Sequence, residues 1–180
     1  LGQPYFYRLL TNSYSMSATN EQSMRYMKLF VYLPVAIRSN PKSALLISYG
    51  IGNTAKALTD TSSLESIDVV DISRDIMELS ATVYPEPESN PLNDNRVKVH
   101  VEDGRFFLQV TEKRFDLITS EPPPPAIAGV VNLYTQEYFK LIRSRLTPGG
   151  VTSYWLPAQS LEENAAKAII KAFCNVFEDC

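Results

Sequence analysis

The sequence predicts an α/β fold with a doubly wound, mostly parallel sheet, and three observations support this prediction. From residue 42 onward, five short apolar segments alternate with helical segments, as the strands of a parallel sheet alternate with crossover helices. Gly50 and Gly52 directly follow the first of these strands, and the next strand ends in an acid, Asp71, about twenty residues later. Right-handed crossovers then place helices on both faces of the sheet.

Residues 1–41 predict a small N-terminal element, and residues 42–180 predict one compact unit that contains the sheet. Alternating side chains indicate a short strand or hairpin within 1–20, and apolar residues at close to helical spacing indicate a helix over 21–37 that stops near Pro34. The alternating residues are Tyr5, Tyr7 and Leu9, and the helical ones are Met24, Met27, Leu29, Phe30 and Leu33.

The segments after residue 42 are expected to be buried strands and covering helices, with one long exposed polar loop at Pro85–Asn95. The last strand, Val151–Trp155, would be an open edge, so we expect a homo-oligomer or further residues of a larger chain to cover it. The strands are predicted at 44–49, 66–71, 97–101, 115–120 and 150–155, and the helices at 53–60, 73–83, 104–110, 134–146 and 161–177.

Composition narrows the classes of function. The chain has 180 residues, of which 44% are hydrophobic and 21% charged, which is enough for one domain with a substantial core. A net charge of −3 argues against a nucleic-acid partner, because binding to phosphates favours clustered Lys and Arg. No apolar run approaches the roughly 18–20 residues that span a bilayer, so we expect no membrane contact from this segment.

The two ends of the chain bear on its cellular compartment. The first residues, LGQPYFYRLL, lack the basic region and apolar core of a signal peptide, and a start at Leu1 is compatible with a domain excised from a longer protein. Cys174 and Cys180 lie at the C-terminus, and a single histidine leaves no zinc-binding spacing. We therefore expect reduced cysteines, a cytoplasmic protein and no metal centre.

The segment Ala44–Leu58 changes from a strand pattern to a helix pattern at its glycines. A turn at Gly50 and Gly52 lets a ligand approach backbone N–H groups, and Asn53–Thr54 supplies capping side chains for the helix that follows. The carboxylate of Asp71 is then placed to accept hydrogen bonds from a ribose diol. This combination predicts a nucleoside-cofactor site, although tight turns also use glycine for purely structural reasons.

Asp103–Gly104 follows the third strand at the same edge of the sheet. An acid followed by glycine can accept a hydrogen bond from the adenine amino group while leaving room for the ring. Asp103 also fits the N-cap of a helix that begins at Arg105, and the two roles are compatible.

Glu121 ends the fourth strand and is followed by four prolines, whereas Asp116 lies at the start of that strand, away from the ligand-binding edge. Prolines stiffen the backbone, and a rigidly held carboxylate suits a general base or an amine-binding group. The alternative is a solvated glutamate on a stiff surface loop. Tyr134 begins a helix near the same edge, where it either hydrogen-bonds a substrate or packs.

These blocks, in this order, resemble the spermidine synthase family, a branch of the Rossmann-like class I S-adenosylmethionine-dependent methyltransferase fold. The resemblance covers roughly residues 42–155, with a looser match over 5–37. The matching blocks are LLISYGIGNTAKAL, SIDVVDIS, DNRVKVHVEDGRFFL, FDLITSEPPPP, NLYTQEYF and RLTPGGV.

The resemblance implies a site for S-adenosylmethionine or its decarboxylated form, with Glu121 as the base that acts on an attacking amine. Glu21 and Tyr134 would bind the polyamine substrate. The residues implied for the cofactor are Tyr49, Gly50, Gly52, Asp71, Ile72, Asp103 and Gly104.

The chain also departs from the family pattern, mainly at the polyamine half of the site. Glu121 stands in place of an aspartate, and proline replaces the second acid expected just beyond it. Met24 and Tyr26 replace the tyrosine and the glutamate that would bind a polyamine ammonium. Because each buried ammonium needs a partner, we expect weak or no activity with putrescine. In the glycine loop, other residues replace glycines and an acid: Tyr49, Ile51 and Asn53.

Three functions fit these residues. The first is aminopropyl transfer from decarboxylated S-adenosylmethionine to a small-molecule amine, with Glu121 keeping the amine deprotonated. The second is a methyltransferase, because Glu121–Pro124 stands where amino-methyltransferases carry an acid or amide, two prolines and an aromatic residue. The third is a non-catalytic nucleoside-binding domain of a larger protein. The altered amine site favours it, as does the expected lack of the antiparallel hairpin that usually closes such a sheet.

Overall fold

A five-stranded parallel sheet forms the centre of the computed structural model, which describes residues 6–11 and 14–180. A separate two-stranded antiparallel hairpin precedes it. The strands are β1 (Arg8–Thr11), β2 (Tyr14–Ala18), β3 (Ser43–Ile47), β4 (Ser66–Asp71), β5 (Val97–Val101), β6 (Phe115–Ser120) and β7 (Leu146–Tyr154). The helices are α1 (Glu21–Ile37), α2 (Asn53–Thr59), α3 (Arg74–Glu78), α4 (Ser80–Val83), α5 (Gly104–Val110), α6 (Gln136–Ser144) and α7 (Glu163–Cys174).

The sheet is doubly wound, in the strand order β5-β4-β3-β6-β7, with every neighbouring pair parallel. The chain builds outward from β3 through β4 to β5, then crosses back to β6 and β7. Alternate residues of β3 supply two cores: Leu46 packs with α1 and α2 on one face, and Leu45 packs with α5 and α6 on the other. The predicted fold class is confirmed.

The N-terminal element consists of the β1–β2 hairpin and α1, as the sequence predicts, although Tyr5 lies outside the described residues. Asn20 caps α1 by accepting a hydrogen bond from the Ser23 N–H at 3.2 Å. The helix packs against α2 and β7, and the Ser153 hydroxyl donates to the carbonyl of Phe30 at 2.6 Å. The boundary at residue 41 stays a prediction.

Several element boundaries differ from the predicted ones. The helix predicted at 73–83 is divided into α3 and α4, and residues 130–134 form a short 3₁₀ helix before α6. The prediction that Asn53–Thr54 caps α2 is wrong. Gly52 takes the N-cap position in the left-handed region, at φ 86°, while both predicted capping side chains bond to distant elements.

The cysteine expectation is also wrong, because Cys174 and Cys180 form a disulfide across a Cα–Cα distance of 5.4 Å. The chain turns back after α7 and brings the two residues together. Disulfides are more typical of oxidising compartments than of the cytoplasm, so the cytoplasmic location stays a prediction.

No helix among residues 6–11 and 14–180 is long and apolar enough to cross a membrane.

The two edge strands are β5 and β7. Among residues 6–11 and 14–180, β7 pairs with β6 alone. The edge predicted at Val151–Trp155 is therefore open on the side away from β6.

Candidate functional site

A cleft of about 770 Å³ opens at the carboxyl ends of β3, β4, β5 and β6, beneath the β1–β2 hairpin. Parallel strands bring their C-terminal residues to one edge, which is where doubly wound sheets bind ligands. Four acidic side chains and one basic side chain line the cleft: Asp71, Asp75, Asp103, Glu121 and Arg105. Its lining charge therefore favours a cationic ligand.

Asp71 lies at the end of β4 and is held by the loop that follows β3. Its carboxylate accepts hydrogen bonds from the N–H of Tyr49 at 2.8 Å and from the N–H of Ser73 at 2.9 Å. Burial raises the pKa of this carboxyl, against the lowering effect of the backbone N–H groups of Ser73, Tyr49 and Gly50. A carboxylate has about four acceptor sites, so Asp71 can still accept from a ligand hydroxyl beside these three N–H groups.

The two loop glycines serve different purposes. Gly50, at φ 58°, lines the cleft, where a Cβ would lie 3.2 Å from the Ser17 hydroxyl. Gly52 does not line it; a Cβ there would lie 2.5 Å from the Tyr49 hydroxyl and 2.9 Å from the ring of Tyr84. The missing side chain of Gly52 is therefore required for packing of the loop. The missing side chain of Gly50 leaves room for a ligand to approach the loop backbone from the cleft.

Tyr49 anchors the loop through its side chain. The buried ring ends in a hydroxyl 2.5 Å from the Ser80 hydroxyl, which in turn donates to the side-chain carbonyl of Asn90 at 2.8 Å. Burial raises the pKa of Tyr49 above its usual value. Ile72, which follows Asp71, is 72% exposed and lines the cleft, so it offers an apolar surface to a ligand.

Asp103 caps α5 by accepting from the Phe106 N–H at 2.8 Å, which confirms the capping role. It is exposed at the cleft, so its adenine-binding role stays a prediction. A Cβ on Gly104 would lie 2.4 Å from the Cγ2 of Ile47. Glycine is therefore required where α5 begins beside β3.

Glu121 lines the cleft at the end of β6 and is half-buried, which excludes the solvated surface glutamate. Burial raises the pKa of its carboxyl to about 7, and a hydrogen bond from the Thr54 hydroxyl to Oε1 opposes that rise. Burial and then the charge of Glu121 raise the pKa of Tyr26 to about 12, and both residues line the cleft. A carboxyl with a pKa near neutrality can accept a proton and release it again.

Tyr134 packs under the proline loop and is not among the residues that line the cleft. Its hydroxyl donates to the carbonyl oxygens of Pro122 and Pro123, at 3.2 and 3.0 Å. Tyr134 is predicted either to hydrogen-bond a substrate or to pack, and this geometry favours packing.

Glu21, the other residue predicted to bind the substrate, is exposed in the first turn of α1, where it pairs with Arg25.

Asp116 lies at the opposite end of β6, as predicted. It accepts from the guanidinium of Arg38 and from the N–H of Lys42, each at 2.8 Å. The carboxylate therefore joins α1 to the start of the sheet and takes no part in the cleft.

The surroundings of Glu121 differ from those that the sequence predicts. The sequence predicts Thr54 as a cap and Tyr26 as a lost contact, whereas the Thr54 hydroxyl donates to the carboxyl and Tyr26 lines the same cleft. Thr54 is 67 residues from Glu121 in the chain, so no local pattern signals the pair. Trp155 and Asp75 also line the cleft. Both residues come soon after the carboxyl end of a strand, β7 for Trp155 and β4 for Asp75, and this position in the sequence could have predicted them at the cleft.

Residues 23–180 match the family model described as the spermine/spermidine synthase domain. The chain belongs to this family. The resemblance inferred from the sequence blocks is thereby confirmed. The family match includes part of the looser match predicted over 5–37 and extends past residue 155 to residue 180.

Curated members of the spermine/spermidine synthase family are similar to the chain over most of its length. Polyamine aminopropyltransferase of Nitrosomonas europaea is 25% identical over 174 residues, which are 97% of this chain and 53% of that protein. The enzyme of the same name from Clostridium beijerinckii is 32% identical over 146 residues, 81% of this chain and 51% of its own. Spermidine synthase 1 of Datura stramonium is 30% identical over 154 residues, which are 82% of this chain and 49% of that protein. The chain thus spans about half the length of the curated relatives it matches.

Solved structures of spermidine synthases share the fold. A crystal structure of spermidine synthase in complex with the transition-state analogue AdoDATO superimposes with a TM-score of 0.81, at 21% identity, over 93% of this chain and 56% of that one. The crystal structure of spermidine synthase from Thermotoga maritima gives a TM-score of 0.78 at 20% identity, over 93% of this chain and 55% of that one.

Proposed function

We propose that this member of the spermine/spermidine synthase family transfers an aminopropyl group from decarboxylated S-adenosylmethionine to an amine. The observation that carries the proposal is the position of Glu121, a half-buried carboxyl in the wall of a cleft whose charged lining residues are mainly acids. Burial raises its pKa to about 7, which suits proton transfer. The names of the curated relatives, polyamine aminopropyltransferase and spermidine synthase, support it.

The nucleoside half of the donor would lie against the loop and the ends of β4 and β5. We propose that Asp71 accepts from the ribose hydroxyls and Asp103 from the adenine amino group, with Gly50 and Ile72 beneath the donor. The free lone pairs of Asp71 and the exposure of Asp103 at the cleft support this assignment.

The charge of the cleft favours the decarboxylated donor over S-adenosylmethionine itself. Decarboxylation removes an anionic group and leaves a sulfonium and an ammonium. The lining offers four carboxylates to such a cation but only one cationic side chain, Arg105, to a donor carboxylate.

In the proposed step, the carboxylate of Glu121 accepts a proton from the acceptor ammonium. The free amine nitrogen then forms a bond to the propyl carbon next to the sulfonium sulfur. The carbon–sulfur bond breaks, its electron pair remains on sulfur, and methylthioadenosine leaves as a neutral thioether. The sulfonium is already a good leaving group, so the protein contributes alignment and proton transfer.

Tyr134 and Glu21 take indirect roles in this proposal. Tyr134 holds the carbonyls of the proline loop and so positions Glu121, which supports a role in the amine site without direct contact. Glu21 is exposed and paired with Arg25, so we propose at most a long-range electrostatic effect on an entering amine.

Release of methylthioadenosine from decarboxylated S-adenosylmethionine, in the presence of an amine, tests this function. Calorimetry with decarboxylated and intact S-adenosylmethionine, methylthioadenosine and S-adenosylhomocysteine should show tighter binding of the decarboxylated donor. Methyl transfer from intact S-adenosylmethionine would identify a methyltransferase. Nucleoside binding without turnover by either donor would identify a non-catalytic domain.

A further inference from the structure

One end of the cleft surrounds Glu121 and differs chemically from the nucleoside end. We call it the acceptor end and define it by Glu121, Tyr26, Met27, Pro122 and Trp155, all of which line the cleft. The Thr54 hydroxyl lies between the Glu121 carboxylate and the carbonyl of Met27. The N–H of Trp155 donates to the carbonyl of Ser120, the residue before Glu121.

Glu121 is the acid that this end provides. Asp71 ends β4, Asp75 follows in α3, and Asp103 follows β5, whereas Glu121 follows β6. Because β3 lies between β4 and β6, the ends of β4 and β6 are about 10 Å apart, and the end of β5 is farther still. The other lining acids among residues 6–11 and 14–180 therefore belong to the nucleoside end, and residues 1–5 and 12–13 contain no Asp or Glu.

The remaining surface of the acceptor end is apolar or aromatic. Tyr26 is half-buried and Met27 is buried, and Trp155 is partly exposed beside the open edge of β7. Such a surface stabilises a hydrocarbon chain. Among the residues of this chain, it leaves a second ammonium without a carboxylate. A cation–π contact with Tyr26 or Trp155 offsets only part of the desolvation of that charge.

We propose that the acceptor end binds a monoamine with an apolar body, rather than a diamine. This inference rests on the proposed aminopropyl transfer and specifies its acceptor. The single ammonium of the acceptor lies at Glu121, loses its proton to that carboxylate and forms the new nitrogen–carbon bond as the carbon–sulfur bond breaks. The hydrocarbon body lies against Tyr26, Met27 and Trp155.

A matched pair of amines tests the proposal. Pentylamine and 1,5-diaminopentane have the same carbon chain and differ in whether the far end is a methyl group or an ammonium. Both release methylthioadenosine if they act as acceptors, so one assay compares them. We expect kcat/KM for pentylamine to exceed that for 1,5-diaminopentane by about tenfold or more.

A pair of variants at Trp155 tests the charge argument directly. Trp155→Glu adds a second carboxylate to the acceptor end, and Trp155→Gln makes nearly the same change of shape without the charge. The preference for pentylamine should fall by about tenfold in Trp155→Glu relative to Trp155→Gln. An equal preference in the two variants would contradict the charge argument.

The outcomes separate this inference from the proposed function. Methylthioadenosine release that is equal or faster with 1,5-diaminopentane overturns the monoamine acceptor and leaves aminopropyl transfer standing. If no amine supports release, aminopropyl transfer fails, and calorimetry of the two amines with the methylthioadenosine-bound protein decides the inference. Tighter binding of pentylamine supports it, whereas tighter binding of the diamine, or binding of neither amine, overturns it.

Discussion

Glu121 is subject to two opposing effects on one carboxyl group. Burial at the end of β6 disfavours its charge, and the Thr54 hydroxyl stabilises that charge by donating a hydrogen bond. The resulting pKa of about 7 is far above that of an exposed glutamate. A carboxyl whose pKa lies near neutrality suits general acid–base catalysis better than permanent ion pairing.

Replacing the carboxyl of Glu121 by an amide should impair catalysis without impairing nucleoside binding. Glu121→Gln keeps the shape and removes the proton acceptor, so we expect turnover to fall by about 10²–10⁴-fold. Methylthioadenosine release measures turnover, and calorimetry with methylthioadenosine should give nearly the parental affinity. Glu112→Gln, on an exposed residue, is the matched control. Parental activity in Glu121→Gln would eliminate the base.

The pH dependence of the reaction should follow the titration of Glu121. The base is active when ionised, so kcat/KM should rise with pH through about 7. Thr54→Val removes a hydrogen bond that favours the ionised form, so the pKa of Glu121 should rise and the profile should move to higher pH by about one unit. Thr54→Ser retains the hydroxyl and should keep the parental profile. An unshifted profile in Thr54→Val would mean that another group titrates.

At the scale of elements, the cleft depends on how closely α5 begins beside β3. The helix start carries both Asp103 and Gly104, and the missing side chain of Gly104 lets Ile47 fill the space. A contact this close fixes the position of the Asp103 carboxylate relative to Asp71 at the end of the neighbouring strand.

A side chain at position 104 should therefore destabilise the fold. We expect Gly104→Ala to lower the free energy of unfolding by about 1–3 kcal/mol, because its Cβ would overlap the Cγ2 of Ile47. Urea denaturation measures the change. Ile47→Ala removes the overlapping atom, so the cost of Gly104→Ala should be smaller in the double variant than in the parent. Additive costs would show that the overlap is relieved by other movements.

At the scale of the whole molecule, an edge strand and an exposed helix surface are both candidates for an interface. β7 is an edge strand, and α1 packs against it. The second half of that helix, Leu29–Ile37, carries no charged residue, and its outward side chains include Leu29, Leu33 and Ile37, which are 47%, 57% and 78% exposed. Contiguous apolar surface next to an open strand edge is typical of an interface.

The sequence prediction that a homo-oligomer or further chain covers this edge remains to be tested. Light scattering across a range of protein concentrations should detect self-association. Hydrogen exchange should be slow for those amides of Val151–Trp155 that do not bond to β6, because pairing with another strand would protect them. A strict monomer in which these amides exchange fast would contradict a covered edge.

The sequence by itself determined the order of strands and helices and the family. A buried strand such as β3 is predicted by its continuous apolar run. Asp71 ends a strand, and Gly50, Asp103 and Glu121 each follow one within a few residues. Parallel strands bring their carboxyl ends to one edge, so positions after successive strands predict a shared cleft without knowledge of any side-chain contact.

Only the tertiary structure decided what each side chain does in that cleft. Thr54 contacts Glu121 instead of capping α2, Tyr134 holds the proline loop, and Gly52 makes room for Tyr49. Cys174 and Cys180 pair because the chain turns back after α7. Each of these outcomes depends on which distant groups meet in three dimensions and on how much water they lose there, and neither quantity is contained in a local sequence pattern.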